Sequence, residues 1–171
     1  VRKKTGRPEY SFYLTEQGQE ALPKDYDQLL GMVVQELSAL APEETSGKDG
    51  QQILESVLRR MSERVAQGYN ERMAAPNIAD RVDALVDHLV REDFFPEPKV
   101  EEGSLRIRLL NCPFRSVAMR NKAVCAFDLH LIESLLDSDV ERTQCIHDGD
   151  SGCMYTVPLT VAGERALSSF A

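Results

Sequence analysis

Four cysteines stand at positions 112, 125, 145 and 153, separated by 12, 19 and 7 residues. Thiolates ligate soft metals and attack disulfides, so their spacing bears on which chemistry the chain can support. A zinc ribbon or knuckle takes two ligands from one tight C-x2-C turn, and none of these gaps is that short. A shared site would have to be assembled from four distant segments by a folded domain. Cys112 is followed by Pro113. That pairing occurs at iron–sulfur ligands, where proline removes an N–H and turns the chain away. The last two cysteines enclose the stretch CIHDGDSGC. In it Asp148 and Asp150 read as turn residues, with Gly149 and Gly152 supplying positive φ. Ionised thiols need positive charge nearby, from a metal and from Arg115 or Arg120. If only three cysteines ligate, His147, Asp128 or His130 can complete the site. Packing is the competing account, because buried free Cys is a common small hydrophobe. It suits Cys125 at an apolar helix start, and it suits Cys145 and Cys153 facing each other across a hairpin. Cys112, between a strand and a proline, is hardest to explain that way. No nucleophile and base stand at an interpretable spacing, and there is no P-loop or G-x-G-x-x-G, so an enzyme is the reading the sequence supports least.

Several elements must position these residues. Tyr10, Phe12 and Leu14 alternate with Ser11 and Tyr13 after turn chemistry at Gly6, Arg7 and Pro8, which predicts a hairpin strand, and Thr15 caps a short helix after it. Tyr26, Leu29, Leu30, Val33, Leu37 and Leu40 form an apolar stripe on a helix starting near Asp25. A second helix runs from about 51 to 73 with Ile53, Leu54, Val57, Leu58, Met61 and Val65 inward. Each stripe fits either intrachain packing or a dimer seam. A third helix, about 78–92, uses Val82, Leu85, Val86 and Leu89 and carries His88 as a core or surface residue. The periodicity then changes to two: KVEEGSLRIRLLN reads as a hairpin turning at Glu102 and Gly103, with Leu105, Ile107 and Leu109 on one face. AVCAFDLHLIESLLDS reads as a helix burying Val124, Phe127, Leu131 and Leu135, and VERTQCI and CMYTVPL as two strands. The expected class is α+β, with a wing remnant at 1–22, a helical linker and dimerisation region at 23–75, and a cysteine-containing sensor domain at 76–171.

The chain has 171 residues, 42% of them hydrophobic, and a net charge of −8. No apolar run reaches the length of a membrane span and no signal segment leads the chain, which predicts a cytoplasmic protein without a membrane partner. The acidic balance counts against nucleic-acid binding except at one edge, because residues 1–8 carry Arg2, Lys3, Lys4 and Arg7 and no acid.

The start, GRPEYSFYLTEQGQEALPKDYDQLL, resembles the wing and exit helix of winged helix-turn-helix repressors. NCPF at 111–114, VC at 124–125 and GDSGCMYTV at 149–157 are similar to the C-terminal domain of SufR-like repressors, which regulate iron–sulfur assembly. The resemblance covers nearly the whole chain. It implies a homodimeric regulator of operator DNA that senses a [4Fe-4S] cluster, with Cys112, Cys125 and Cys153 the strongest matches and Cys145 the fourth ligand. The third cysteine of the cyanobacterial pattern would fall near Asp139, where this chain has none, and Cys145 stands nearby. The resemblance places Arg7 in the minor groove and Lys3 and Lys4 on phosphates. Because the chain opens without Met inside the wing, it reads as truncated, with the recognition helix in the missing part. The ending with Cys145, GD and Cys153 also resembles vinyl-reductase-type small-molecule-binding domains, which implies zinc or an organic ligand instead.

Overall fold

The structure is a computed structural model that describes residues 14–71 and 77–170. Lys3, Lys4, Arg7 and the predicted wing strand up to Tyr13 lie outside the described residues, as does the predicted helix end at Met73.

Five helices precede the sheet: α1 (Glu16–Glu20), α2 (Tyr26–Ser38), α3 (Pro42–Thr45), α4 (Gly50–Asn70) and α5 (Ile78–Arg91). Four of these starts follow from side chains that accept orphan amides: Thr15 from Gly18, Asp25 from Gln28, Asp49 from Gln52 and Asn77 from Ala79 and Asp80. The second half alternates strands and helices: β1 (Pro96–Glu101), β2 (Ser104–Leu109), α6 (Arg115–Ala118), α7 (Ala126–Leu136), β3 (Glu141–Gln144), β4 (Cys153–Pro158) and α8 (Val161–Ala166). The strands form one antiparallel sheet in the order β1-β2-β4-β3, so the fold is α+β. The β1–β2 hairpin turns at Glu102 and Gly103, both with positive φ (49° and 76°), the type I′ geometry that matches strand twist. β1 extends back to Pro96 and includes Pro98, which an edge strand tolerates.

The inner sheet face carries Leu105, Ile107 and Leu109 from β2 and Cys153, Tyr155 and Val157 from β4, all buried. α7 completes the core with Phe127, Leu131, Ile132, Leu135 and Leu136, and it packs against α4 and α5. The expected helix over AVCAFDLHLIESLLDS is divided: a 3₁₀ turn, Lys122–Cys125, is capped by the Asn121 side chain, and α7 begins only at Ala126. α7 stops at Asp137, which adopts the left-handed conformation, while Arg81 donates to the Leu135 carbonyl at 3.0 Å.

α2 is rotated relative to its predicted stripe. Leu29 is buried, but Leu30 and Leu37 are exposed, and Glu36 is buried instead. The cause is electrostatic. Glu36 accepts from Arg60 of α4 at 3.1 Å and from Arg64 as well, and these guanidiniums, Arg64 foremost, hold its carboxyl below the usual range. Pairing Glu36 inward turns Leu30, Val34 and Leu37 to solvent.

His88 is buried on α5, edge-on to the Tyr69 ring and with Nδ1 3.5 Å from the Tyr69 hydroxyl. Burial lowers its pKa, and Glu92 opposes this in part. A depressed histidine contributes stability that is complete above its unfolded value, near 6.5, and is lost as pH falls through the folded value. Thermal melts should therefore show wild-type stability dropping from pH 7 to pH 5 more steeply than that of His88→Gln.

Candidate metal centre

The four cysteines come from four separate segments and lie buried in the same core. Cys153 opens β4 opposite Leu109 of β2, and Cys112 lies three residues past Leu109, where the chain leaves the strand. Cys125 ends the 3₁₀ turn at the start of α7, and Cys145 follows β3. All four are free and buried. Each interacts electrostatically with others of the set: Cys112 with Cys125 and Cys153, Cys125 with Cys145 and Cys153, and Cys145 with Cys153 through a shared S–H hydrogen bond.

Desolvation dominates their chemistry. Burial pushes the Cys112 thiol far above its ordinary range, raises Cys125 strongly and raises Cys153 to about 12. The Asp128 carboxyl is the second cause in all three. As they stand these thiols hold their protons, which makes them poor nucleophiles. Two backbone amides work the other way, Phe114 N–H donating to the Cys112 sulfur and Ile146 N–H to the Cys153 sulfur. Amides aimed at sulfur are a means by which proteins stabilise ligating thiolates.

Sequence reasoning named Asp128 only as a spare ligand, yet it is central. It lies one turn into α7 from Cys125, is buried, and has its pKa raised to about 7, first by burial, with Arg142 and Tyr155 opposing. Its Oδ1 accepts no hydrogen bond, and the Tyr155 hydroxyl completes none of regular geometry. The available signal was an acid at i+3 from a cysteine inside an otherwise apolar helical run. The positive neighbours also differ from the expected ones. Arg142, paired across the strands with Tyr155, donates to the Cys125 carbonyl at 2.6 Å and eases the ionisation of that thiol. Lys24 interacts with Cys112 and Lys122 with Cys145. Arg115 faces Glu20 at 3.5 Å, and Arg120 is exposed. His130 pairs with Glu133 at 3.0 Å and His147 with Asp148 at 3.4 Å, each within its own element.

The CIHDGDSGC turn is built from backbone contacts. Asp150 accepts the Cys145 amide at 2.8 Å, the Asp148 amide donates to the Cys145 carbonyl at 2.9 Å, and Asp148 also binds Lys122 at 2.7 Å. Gly149 has the expected positive φ of 98°. Gly152 does not, and it is required for a different reason: a Cβ there would stand 2.6 Å from the Leu109 carbonyl oxygen.

The Cys112 segment is tied to the turn between α1 and α2. Asn111, buried, donates to the carbonyls of Pro23 (2.9 Å) and Asp93 (2.7 Å) and accepts from the Lys24 ammonium (2.9 Å). Asp25 N–H donates to the Pro113 carbonyl at 3.2 Å, and Ser116 N–H to the Tyr26 hydroxyl at 3.2 Å. Asn111→Ala removes three side-chain bonds at once and should lower unfolding free energy by about 2 kcal/mol, read by urea denaturation.

Among the described residues no group of three or more His, Cys, Asp and Glu side chains is arranged to hold a metal ion. No protein-family model matches the chain, and no curated protein matches it significantly.

Proposed function

We propose that this chain is the sensor and dimerisation part of a homodimeric, cytoplasmic DNA-binding transcriptional regulator of the SufR-like kind. It is read as a regulator, not an enzyme. Its C-terminal domain holds an iron–sulfur cluster on Cys112, Cys125 and Cys153, with Cys145 as the fourth ligand. The observation that carries the reading is the mutual electrostatic interaction of four free, buried thiols from four separate segments, with amides donating to two of the sulfurs. Four thiols brought from separate segments, with no C-x2-C pair among them, suit a polynuclear core whose corners each take a different ligand better than a zinc knuckle.

When bound, the cluster supplies positive charge that replaces the thiol protons and makes the site sensitive to iron and oxidant. The chain's own residues carry the consequence outward. Ionising Cys112 strengthens the hold on the Lys24 ammonium, which also donates to the carbonyls of Gln19 (2.9 Å) and Leu22 (3.1 Å). Asn111, Lys24, Asp25 and Tyr26 thus couple the cysteine site to the segment that leads toward residues 1–13, where Lys3, Lys4 and Arg7 are proposed to contact operator DNA. The exposed Leu30, Val34 and Leu37 of α2 supply an apolar face for a second copy. Coupling of this kind requires the cluster to favour one dimer state over the other.

A second reading, a small-molecule or zinc-binding module of the vinyl-reductase type, is favoured by one observation. A cavity of about 360 Å³ opens between α2, α4 and α5, lined by Met32, Met61, Val65, Tyr69 and His88. The His88 Nε2 and, deeper, the Gln28 Oε1 have no hydrogen-bond partner. Anaerobic purification followed by visible absorption and iron, sulfide and zinc analysis separates the two. A brown protein with matching iron and sulfide supports the cluster, and a colourless protein with stoichiometric zinc or an organic ligand overturns it.

A further inference from the structure

The cavity between α2, α4 and α5 has apolar walls and carries its unmet polar atoms at the inner end. Its outer part, about 360 Å³, is walled by Met32, Met61, Val65 and the Tyr69 ring and falls in the size range of small-ligand pockets. It continues inward past Met32, Val65 and His88 to a space of about 10 Å³ floored by Phe94, Phe114 and Phe127, room for one hydroxyl-sized group. His88 is 7% exposed; its Nδ1 faces the Tyr69 hydroxyl at 3.5 Å, and its Nε2 has no hydrogen-bond partner among the described residues. The Gln28 Oε1, which can only accept, has none either. Polar atoms this deep are costly to leave unmet, and the cavity reaches both of them.

Charge narrows the occupant. Glu36 at the rim is already answered by Arg60 and Arg64. Glu92 lines both parts of the cavity and acts on His88, so an anion is repelled there. Burial keeps the His88 ring neutral near pH 7, so Nε2 offers one lone pair or one N–H. The thioethers of Met32 and Met61 favour a flat, polarisable ring. We infer that this cavity binds a small uncharged molecule, an apolar ring bearing one hydroxyl or N–H, with the ring against Met32, Met61 and Val65 and the donor between Gln28 Oε1 and His88 Nε2. The inference rests on the small-molecule reading of this cavity alone and does not depend on what the cysteines hold. Gln28 and Met32 belong to α2, so the occupant ties that helix to α4 and α5.

Titration calorimetry of the full chain tests this with three probes: indole, 1-methylindole, which lacks the donor, and indole-3-acetate, which adds a negative charge. Indole is expected to bind with a Kd below about 1 mM, 1-methylindole about tenfold more weakly, and indole-3-acetate with no measurable heat. In Gln28→Met and in His88→Phe the preference for indole over 1-methylindole should shrink at least about threefold. Met32→Trp, which fills the outer cavity, should abolish binding of indole altogether. Melting of the ligand-free proteins checks that each variant folds, and the half-buried Gln28 keeps the test decisive if His88→Phe does not. Equal affinity of the wild type for indole and 1-methylindole, stronger binding of indole-3-acetate, or an unchanged preference in either folded variant overturns the ligand class while leaving a small-molecule site. No binding of any probe at about 5 mM overturns both.

Discussion

Replacing Cys112 with serine should leave less than about a tenth of the wild-type iron bound after anaerobic reconstitution and remove the visible absorption. Cys112 joins the two halves of the site. It follows the β2 end that pairs with Cys153, it accepts the Phe114 amide, and its neighbours Asn111 and Pro113 bind the α1–α2 turn. A serine hydroxyl in this buried place ionises even less readily than the thiol, so the ligand is lost while the side chain keeps nearly the same size. The fold should persist, since Phe94, Phe114 and Phe127 continue to pack edge to face around the segment. Full iron and sulfide content in Cys112→Ser would remove this residue from the ligand set. If the α1–α2 turn reports occupancy, the proteolysis pattern of Cys112→Ser near residues 19–26 should be the same with and without added iron, whereas that of the wild type should change.

The second large effect is expected at Gly152. Its neighbour Cys153 begins β4 in register with Leu109, and a methyl group at 152 would meet the Leu109 carbonyl oxygen at 2.6 Å. That oxygen belongs to backbone inside the sheet, so no flexible side chain can move aside. β4 must separate from β2 just where it delivers Cys153 to the site. Gly152→Ala should cost about 3 kcal/mol, the upper part of the range for overpacking, and slow cluster loading by displacing a ligand. Gly149→Ala is the control. Its φ of 98° penalises alanine, but nothing stands within 4 Å of the new methyl group. Its cost should be nearer 1 kcal/mol, and loading should be little changed. Urea denaturation of the iron-free variants reads the first difference and the rate of colour development reads the second. Equal stability losses in the two variants would show that strand separation is not the cause.

These two sites show where local pattern carries and where it stops. The β1–β2 hairpin, the inward face of β2 and the buried side of α7 were legible because strand and helix periods are properties of a short window. Glu102 and Gly103, Leu105, Ile107 and Leu109, and Phe127, Leu131 and Leu135 all occupy their expected places. α2 was legible as a helix but not in its rotation. Its apolar positions allow more than one inward face, and the choice was made by Glu36 meeting Arg60 and Arg64 across to α4. Gly152 was legible as a glycine in a turn, yet its reason lies in a carbonyl 43 positions earlier in the chain.

By itself the sequence determined the longer helices, the strands, the α+β class and the residue types able to bind a metal, because propensity, alternation and thiol chemistry are encoded residue by residue. Only the tertiary structure decided which of those residues meet. It placed Asp128 among Cys112, Cys125 and Cys153, set Arg142 and Lys24 beside them in place of Arg115 and Arg120, and turned His130 and His147 to their own local acids. No spacing rule links Lys24 to Asn111 or Arg142 to Cys125. Each pair is brought together by strand register and helix packing, and burial of the surrounding apolar side chains then sets which thiols and acids hold a proton.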